Sequence, residues 1–92
     1  MAKSIIQDEK VCYRCRSTIN LEKHHCVFGT ANRKKADGDG LWVWLCHAHH
    51  HAVHNKDIDY KRYLEWIAEK KWLEVRHKNI ADWIERYGRN YL

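Results

Sequence analysis

The chain has 92 residues, of which 45% are hydrophobic, and it contains five Trp and no Pro. A chain of this length makes one small domain, and so small a domain often needs a metal ion or a disulfide to stay folded. The aromatic content excludes a disordered chain, and no apolar run approaches the roughly 18 residues that a membrane span requires. The formal net charge of +5 favours an anionic partner such as nucleic acid.

The N-terminal half predicts two strands joined by a long loop. Residues 1–11 form a polar lead-in without an apolar signal-peptide core, so we expect a cytoplasmic protein. Residues 41–45, Leu-Trp-Val-Trp-Leu, are typical of a strand, and residues 19–28 supply apolar positions for another. Residues 29–40 hold three Gly, two Asp and three cations, a composition typical of a loop.

The C-terminal half predicts three helices. The first begins near Cys46 or His47, and the second spans about residues 59–75. The third runs between an Asn79 cap and a Gly88 stop. The apolar side chains that recur at helical spacing in the last two helices are assigned to the core: Tyr60, Leu64, Ile67, Ala68, Trp72, Val75, Ile80, Trp83, Ile84 and Tyr87.

Two pairs of residues have the spacing of metal ligands, Cys12 with Cys15 and Cys46 with His49. In a reducing cytoplasm Cys residues are metal ligands more often than disulfide partners. Two intervening residues let a tight turn direct both side chains of a pair to one ion, and four Cys or His ligands suit structural zinc. The pairs therefore predict a zinc ion that clamps the hairpin; free thiols or a redox pair are the competing interpretations. Cys26 is interpreted as a buried apolar filler.

Seven of the eight His lie within residues 24–54. On the predicted helix His50 and His54 are four residues apart, so both can bind one metal ion, but His47 and His51 have the same spacing. Spacing alone leaves the choice between the two pairs open. A metal-storage tract or a solvated polar helix is the alternative interpretation, and the paired His on the preceding strand argues against both.

The order of these motifs resembles the HNH endonucleases with the ββα-metal fold, in particular their short phage-type members, similar to the phage recombination-enhancement nuclease. The resemblance covers residues 12–54. It rests on the Cys pair and on two further segments, Glu22-Lys23-His24-His25 and Leu45-Cys46-His47-Ala48-His49-His50-His51-Ala52-Val53-His54. It implies an α+β fold in one domain. That domain comprises a lead-in at 1–11, a zinc-stapled ββα-metal core at 12–56 and a helical extension of two helices at 57–92.

The resemblance also implies roles for the histidines. His25 matches the general base, and His24, His50 and His54 match the ligands of a catalytic divalent ion. That match favours His50 and His54 over the pair with the same spacing. Mg²⁺, Mn²⁺, Ni²⁺ and Zn²⁺ are all candidates for the catalytic ion. The structural Zn²⁺ keeps its own four ligands, Cys12, Cys15, Cys46 and His49.

This chain departs from the family at the middle Asn of the motif, where it has Leu41. In the family that Asn braces the loop and so positions the base, so another residue must do so here. Three residues of the loop can reach back: Asn32, Asp37 and Asp39. A second difficulty is that adjacent strand residues point to opposite faces, so His24 and His25 can serve one site only at a twist, a bulge or a strand edge.

The resemblance implies a metal-dependent endonuclease that hydrolyses phosphodiester bonds of DNA in a bacterial or phage-infected cell. Three cations of the predicted loop are placed to contact phosphates: Arg33, Lys34 and Lys35. The competing interpretation is that they are simply solvated. The expected partners are DNA and a second copy of the chain or other phage or recombination proteins. The rival functions are a non-catalytic zinc module that binds nucleic acid in recombination or packaging, and a metal-storage or metal-sensing protein.

Overall fold

The fold is known for residues 2–92 from a computed structural model. It is a small α+β arrangement with one two-stranded antiparallel sheet and four helices. The elements in chain order are β1 (Leu21–His25), α1 (Thr30–Asp39), β2 (Trp42–Cys46), α2 (His47–Asn55), α3 (Ile58–Arg76) and α4 (Ile80–Tyr87). The α+β class, the hairpin, the His-rich helix and the two C-terminal helices predicted from the sequence are confirmed. No helix in the described part of the chain is long and apolar enough to cross a membrane.

The register of the hairpin sorts the site residues onto two faces. His24 pairs with Val43 and Glu22 pairs with Leu45, so these four side chains share one face. Val43 and Leu45 are fully buried, which places that face toward the core and α2. The other face carries Lys23 and His25 opposite the two Trp residues of β2. Period-2 alternation thus sends the adjacent His residues in opposite directions.

Residues 29–40 form helix α1 rather than the loop predicted from composition. Gly29 and Gly40, at φ 107° and 75°, flank the helix in conformations that favour glycine. The N–H of Gly40 closes the helix on the carbonyl oxygens of Ala36 and Asp37. Ala36 is fully buried, and Asp39 is held by Arg86 of α4 through two hydrogen bonds. These tertiary contacts stabilise a segment whose local composition favours turns.

The C-terminal helices contribute the larger aromatic side chains Trp72, Trp83 and Tyr87 to the apolar core. Asn79, the predicted cap, makes a capping box with Asp82 on α4, and Gly88 ends the helix at φ 85°. The buried members of the predicted core set in these helices are Leu64, Ala68, Trp72, Trp83 and Tyr87.

Three members of that set are not core residues: Val75, Ile80 and Ile84 are each more than 40% exposed. Val75 lies in the last turn of α3, beyond Trp72, which is the last buried residue of that helix. Both Ile residues lie on α4, where only Trp83 and Tyr87 are buried. Helical spacing therefore predicted the buried face only in part: Ile84 is exposed although it lies between the two buried residues of α4.

Two candidate metal centres

Four side chains from three parts of the chain meet at the base of the hairpin. They are Cys12, Cys15, Cys46 and His49, and their ligand atoms all lie within 4.8 Å of one another. The Nδ1 atom of His49 is 3.6 Å from Sγ of Cys12 and 3.3 Å from Sγ of Cys46. The Sγ atoms of Cys15 and Cys46 are 3.9 Å apart. Three thiols and one imidazole are a donor set that zinc prefers, so this cluster can hold a metal ion such as zinc, as the spacing predicted.

Backbone hydrogen bonds fix the two halves of this cluster. The N–H of Arg16 donates to the carbonyl of Cys12 and closes the first turn, where Arg16 itself is left-handed at φ 66°. The N–H of Tyr13 donates to the carbonyl of Trp44, which ties that turn to β2. His49 lies in the first turn of α2, three residues after Cys46. The cluster therefore joins the N-terminal segment, the sheet and α2 at one point.

The Cys12 thiol is set up to bind as a thiolate. Burial disfavours its charged form, but hydrogen bonds from the backbone of Cys46 and Cys15 and from His49 outweigh burial and lower the pKa of Cys12 to about 6. Cys26 behaves differently: it is fully buried, it lies outside the cluster, and burial raises its pKa. Cys26 is thus the apolar filler that the sequence predicted.

A second cluster lies between β1 and α2. It consists of His24, His50 and His54, whose ligand atoms again lie within 4.8 Å of one another. The Nε2 atoms of His50 and His54 are 3.1 Å apart. The ring of His24 lies 5.3 Å from that of His50 and 5.5 Å from that of His54. These are the three residues that the family resemblance grouped.

His24 is the most telling residue of this cluster. It is 1% exposed, and neither of its ring nitrogens has a hydrogen-bond partner within residues 2–92. Buried polar atoms are nearly always paired, and an imidazole left unpaired twice over costs folding free energy. Burial, together with the neighbouring His50, His54 and His25, lowers the pKa of His24 to about 3. The ring is therefore neutral, which is the form that binds metal.

Glu22 orders the other side of the cluster, and sequence reasoning did not assign it a role. Its carboxylate accepts hydrogen bonds from Nδ1 of His50 at 2.7 Å and from Nδ1 of His47 at 2.9 Å. These hydrogen bonds lower the pKa of Glu22. Glu22 stands two residues before His24, so strand periodicity placed it on the same face. His47 and His51 stack on each other outside the cluster.

His25 is held by α1. Its Nε2 atom lies 3.0 Å from Oδ1 of Asp37, which also accepts a hydrogen bond from Lys23 at 3.2 Å. Of the three residues considered as substitutes for the missing Asn, only Asp37 hydrogen-bonds to His25. Asn32 donates instead to the carbonyls of Phe28 and Tyr87, and the third, Asp39, binds Arg86 and Tyr87.

His24 and His25 nonetheless line one hollow of about 270 Å³. His25 is the last residue of β1, so its side chain reaches the hollow from the strand edge while His24 reaches it from the core face. His50, His54, Phe28 and Arg33 also line it. The end of the strand thus resolves the difficulty that adjacent residues posed.

The predicted cationic residues occupy three different positions on α1, not on a loop. Arg33 lines the hollow, and Lys34 is exposed. Nζ of Lys35 donates to the carbonyl of Arg86, at 2.9 Å. Lys61 of α3, which the sequence gave no reason to select, lies 4.3 Å above the Phe28 ring at the rim. The rim of the hollow is therefore cationic.

Comparisons of this chain with protein-family models, with curated proteins and with solved structures gave no significant match.

Proposed function

We propose that this protein is a metal-dependent endonuclease of the HNH type, which hydrolyses phosphodiester bonds of DNA. The observation that carries the proposal is the pair of unpartnered, buried ring nitrogens of His24, 5.3 and 5.5 Å by ring centroid from two further imidazoles. A structural histidine would find a hydrogen-bond partner. A metal ion would take the place of such a partner at the ring nitrogen of His24 that carries the lone pair.

We assign a structural role to one cluster and a catalytic role to the other. The cluster of Cys12, Cys15, Cys46 and His49 supplies all four ligands of a closed tetrahedral zinc site, as structural sites do. The cluster of His24, His50 and His54 supplies three imidazoles and leaves positions free, as catalytic sites do. A divalent ion there would supply Lewis-acid stabilisation of the charge that develops on the phosphate and on the leaving oxygen.

His25 is the proposed general base. It lines the same hollow as the three clustered imidazoles, but it does not belong to the group that could hold a metal ion. A neutral imidazole has a nitrogen lone pair that can accept the proton of the attacking water. The water oxygen would bond to phosphorus as the bond from phosphorus to the 3′ oxygen breaks. The leaving oxygen would take a proton from solvent water, which gives a 3′-hydroxyl and a 5′-phosphate.

Cations at the rim are placed to bind the substrate backbone. Arg33 lines the hollow, and Lys61 lies at its edge on Phe28. Neither forms an ion pair within 4.0 Å inside residues 2–92. No carboxylate of the described residues neutralises their charges within that distance, so both are suited to contact phosphates, which gives affinity without reading sequence.

The test is cleavage of supercoiled plasmid by the zinc-loaded protein with Mg²⁺ or Mn²⁺ added. We expect nicked plasmid with the wild type, and loss of about two to four orders of magnitude in rate for His25→Ala, with bound zinc unchanged. His51→Ala is the matched control, since His51 lies on α2 outside both clusters. DNA binding without cleavage would replace the proposal with the non-catalytic zinc module.

A further inference from the structure

Helix α1 carries a carboxylate that contacts the proposed base directly. We infer that Asp37 is the positioning residue of His25, fixing its ring orientation and the nitrogen that carries its proton. The inference rests on the proposed function, because it gives Asp37 a role through the base and none toward the substrate.

The hydrogen bond decides which nitrogen of His25 is protonated. An ionised carboxylate only accepts hydrogen bonds, so the proton lies on Nε2, 3.0 Å from Oδ1 of Asp37. The carboxylate stays ionised at neutral pH, because His25 and Lys23 hold the pKa of Asp37 below its ordinary value. Nδ1 of His25, a residue that lines the hollow, therefore keeps its lone pair.

Nothing in the described chain competes for that lone pair. Nδ1 of His25 has no hydrogen-bond partner within residues 2–92, and it is not among the buried unpaired atoms, so water can reach it. A base needs this arrangement: one nitrogen held by the protein and the other open to the water that it deprotonates. Asp37 thus selects the tautomer in which Nδ1 of His25 can accept a proton from water.

The support for Asp37 is rigid. Ala36, its neighbour in α1, is fully buried, and Asp39 two residues on accepts hydrogen bonds from Arg86 and Tyr87 of α4. At the other end, Asn32 donates to the carbonyl of Tyr87. Helix α1 is thus tied to α4 on both sides of Asp37. It provides what a loop-bracing Asn provides where Leu41 stands in this chain.

The alternative is that Asp37 makes an ordinary surface ion pair with Lys23. Surface ion pairs of this kind contribute little to stability. If Asp37 had only this structural role, Asp37→Ala would change activity by the same factor whether or not His25 is present. A double-mutant cycle separates the two roles, because a residue that acts only through His25 has nothing left to do once His25 is absent.

The kinetic experiment compares wild type, Asp37→Ala, His25→Ala and the double variant in plasmid nicking. We expect Asp37→Ala to lower kcat about tenfold to a hundredfold with KM changed less than threefold, and to have less than a twofold effect in the His25→Ala background. Asp37→Asn, which keeps an acceptor oxygen, should recover part of the loss. Glu74→Ala, which removes an exposed carboxylate from α3, is the control. An equal loss in both backgrounds overturns the inference.

A second readout does not require cleavage. In zinc-loaded protein without other divalent ions, the ¹⁵N shifts of His25 should report a single Nε2–H tautomer, and Asp37→Ala should move them toward the average of a mixed population. Unchanged shifts in Asp37→Ala overturn the inference even in an active enzyme. An inactive wild type with the expected shifts overturns the proposed function but leaves the contact that Asp37 makes with His25 established.

Discussion

Oε1 of Glu22 lies 2.7 Å from Nδ1 of His50, so Nδ1 carries the proton that it donates in this hydrogen bond, and Nε2 of His50 keeps the lone pair. That Nε2 lies 3.1 Å from Nε2 of His54. A carboxylate behind a ligating imidazole fixes the tautomer of the ring and raises its basicity. Glu22 therefore supports the His24, His50 and His54 cluster from outside it.

Removing that carboxylate should weaken metal binding at the histidine cluster. For Glu22→Ala we expect the Kd for Mn²⁺ or Ni²⁺ to rise about 10–100-fold, because the His50 ring loses its orienting partner. Isothermal titration of zinc-loaded protein measures this. Glu9→Ala, which removes an exposed carboxylate paired with Arg16, should leave the Kd within twofold. Equal affinities for wild type and Glu22→Ala would show that Glu22 does not orient the ligand.

Loss of a zinc ligand should unfold the domain. Cys12→Ala should bind one zinc ion fewer than wild type, and since zinc affinity is folding free energy in small domains, its far-UV circular dichroism should approach that of an unfolded chain. Cys26→Ala is the matched control: Cys26 is buried outside the cluster, so we expect full zinc content and a stability loss of at most about 2 kcal/mol. Full zinc content in Cys12→Ala would contradict the assignment.

Glu69 should make stability fall as pH rises. It is fully buried, and burial raises its pKa above 4.5, although its Oε1 accepts a hydrogen bond from the backbone of Tyr91. The folded state keeps the proton to higher pH than the unfolded chain does. The stabilisation is thus complete below pH 4.5 and is lost as pH rises through the folded pKa.

Glu69→Gln cannot ionise, so its free energy of unfolding should increase relative to wild type as pH rises from 4.5 through the folded pKa of Glu69. Urea denaturation of both proteins at each pH gives this difference, and effects common to both, such as zinc release, cancel. Glu74→Gln, at an exposed position of α3, should give a flat difference. A flat difference for Glu69→Gln as well would mean that the buried carboxylate does not titrate in this range.

Trp83 should contribute more to stability than any exposed Trp. It is fully buried, its ring packs on Trp72 and Tyr87, and its Nε1 donates to the carbonyl of Arg89. We expect Trp83→Ala to cost about 3–5 kcal/mol in urea denaturation. Trp66, 36% exposed on α3, is the matched control, and Trp66→Ala should cost less than about 1 kcal/mol. Similar costs for the two variants would contradict the core described above.

Contacts between residues that are close in sequence, or that belong to a specific motif, could be predicted from the sequence. The zinc cluster follows from two Cys-x-x-(Cys/His) pairs, and the capping box on α4 follows from Asn79 and Asp82. The family resemblance was needed to choose His50 and His54 over His47 and His51, because helical periodicity does not show which face of a helix packs against the strand. Glu22 was visible in the period-2 pattern but went unused.

The sequence named Asp37 as one of three residues that could reach back toward the base, but it could not show that a helix, α1, carries this residue. Three Gly within residues 29–40 favour turns locally, and the helix forms because α4, some 45 residues later in the chain, supplies partners for Asn32 and Asp39. The contact between Asp37 and His25 depends on that helix. The local sequence around a residue does not show a contact that depends on packing between distant parts of the chain.

The most direct test of the central claim is a Mn²⁺ titration of zinc-loaded protein in which site occupancy and plasmid nicking are followed together. Electron paramagnetic resonance of free Mn²⁺ reports occupancy. We expect both curves to reach half-saturation at the same concentration, both to shift at least tenfold in His54→Ala, and neither to shift in His51→Ala. Nicking that persists unchanged in His54→Ala, or wild-type protein that binds Mn²⁺ and leaves the plasmid intact, would contradict the claim that the histidine cluster is a catalytic metal site.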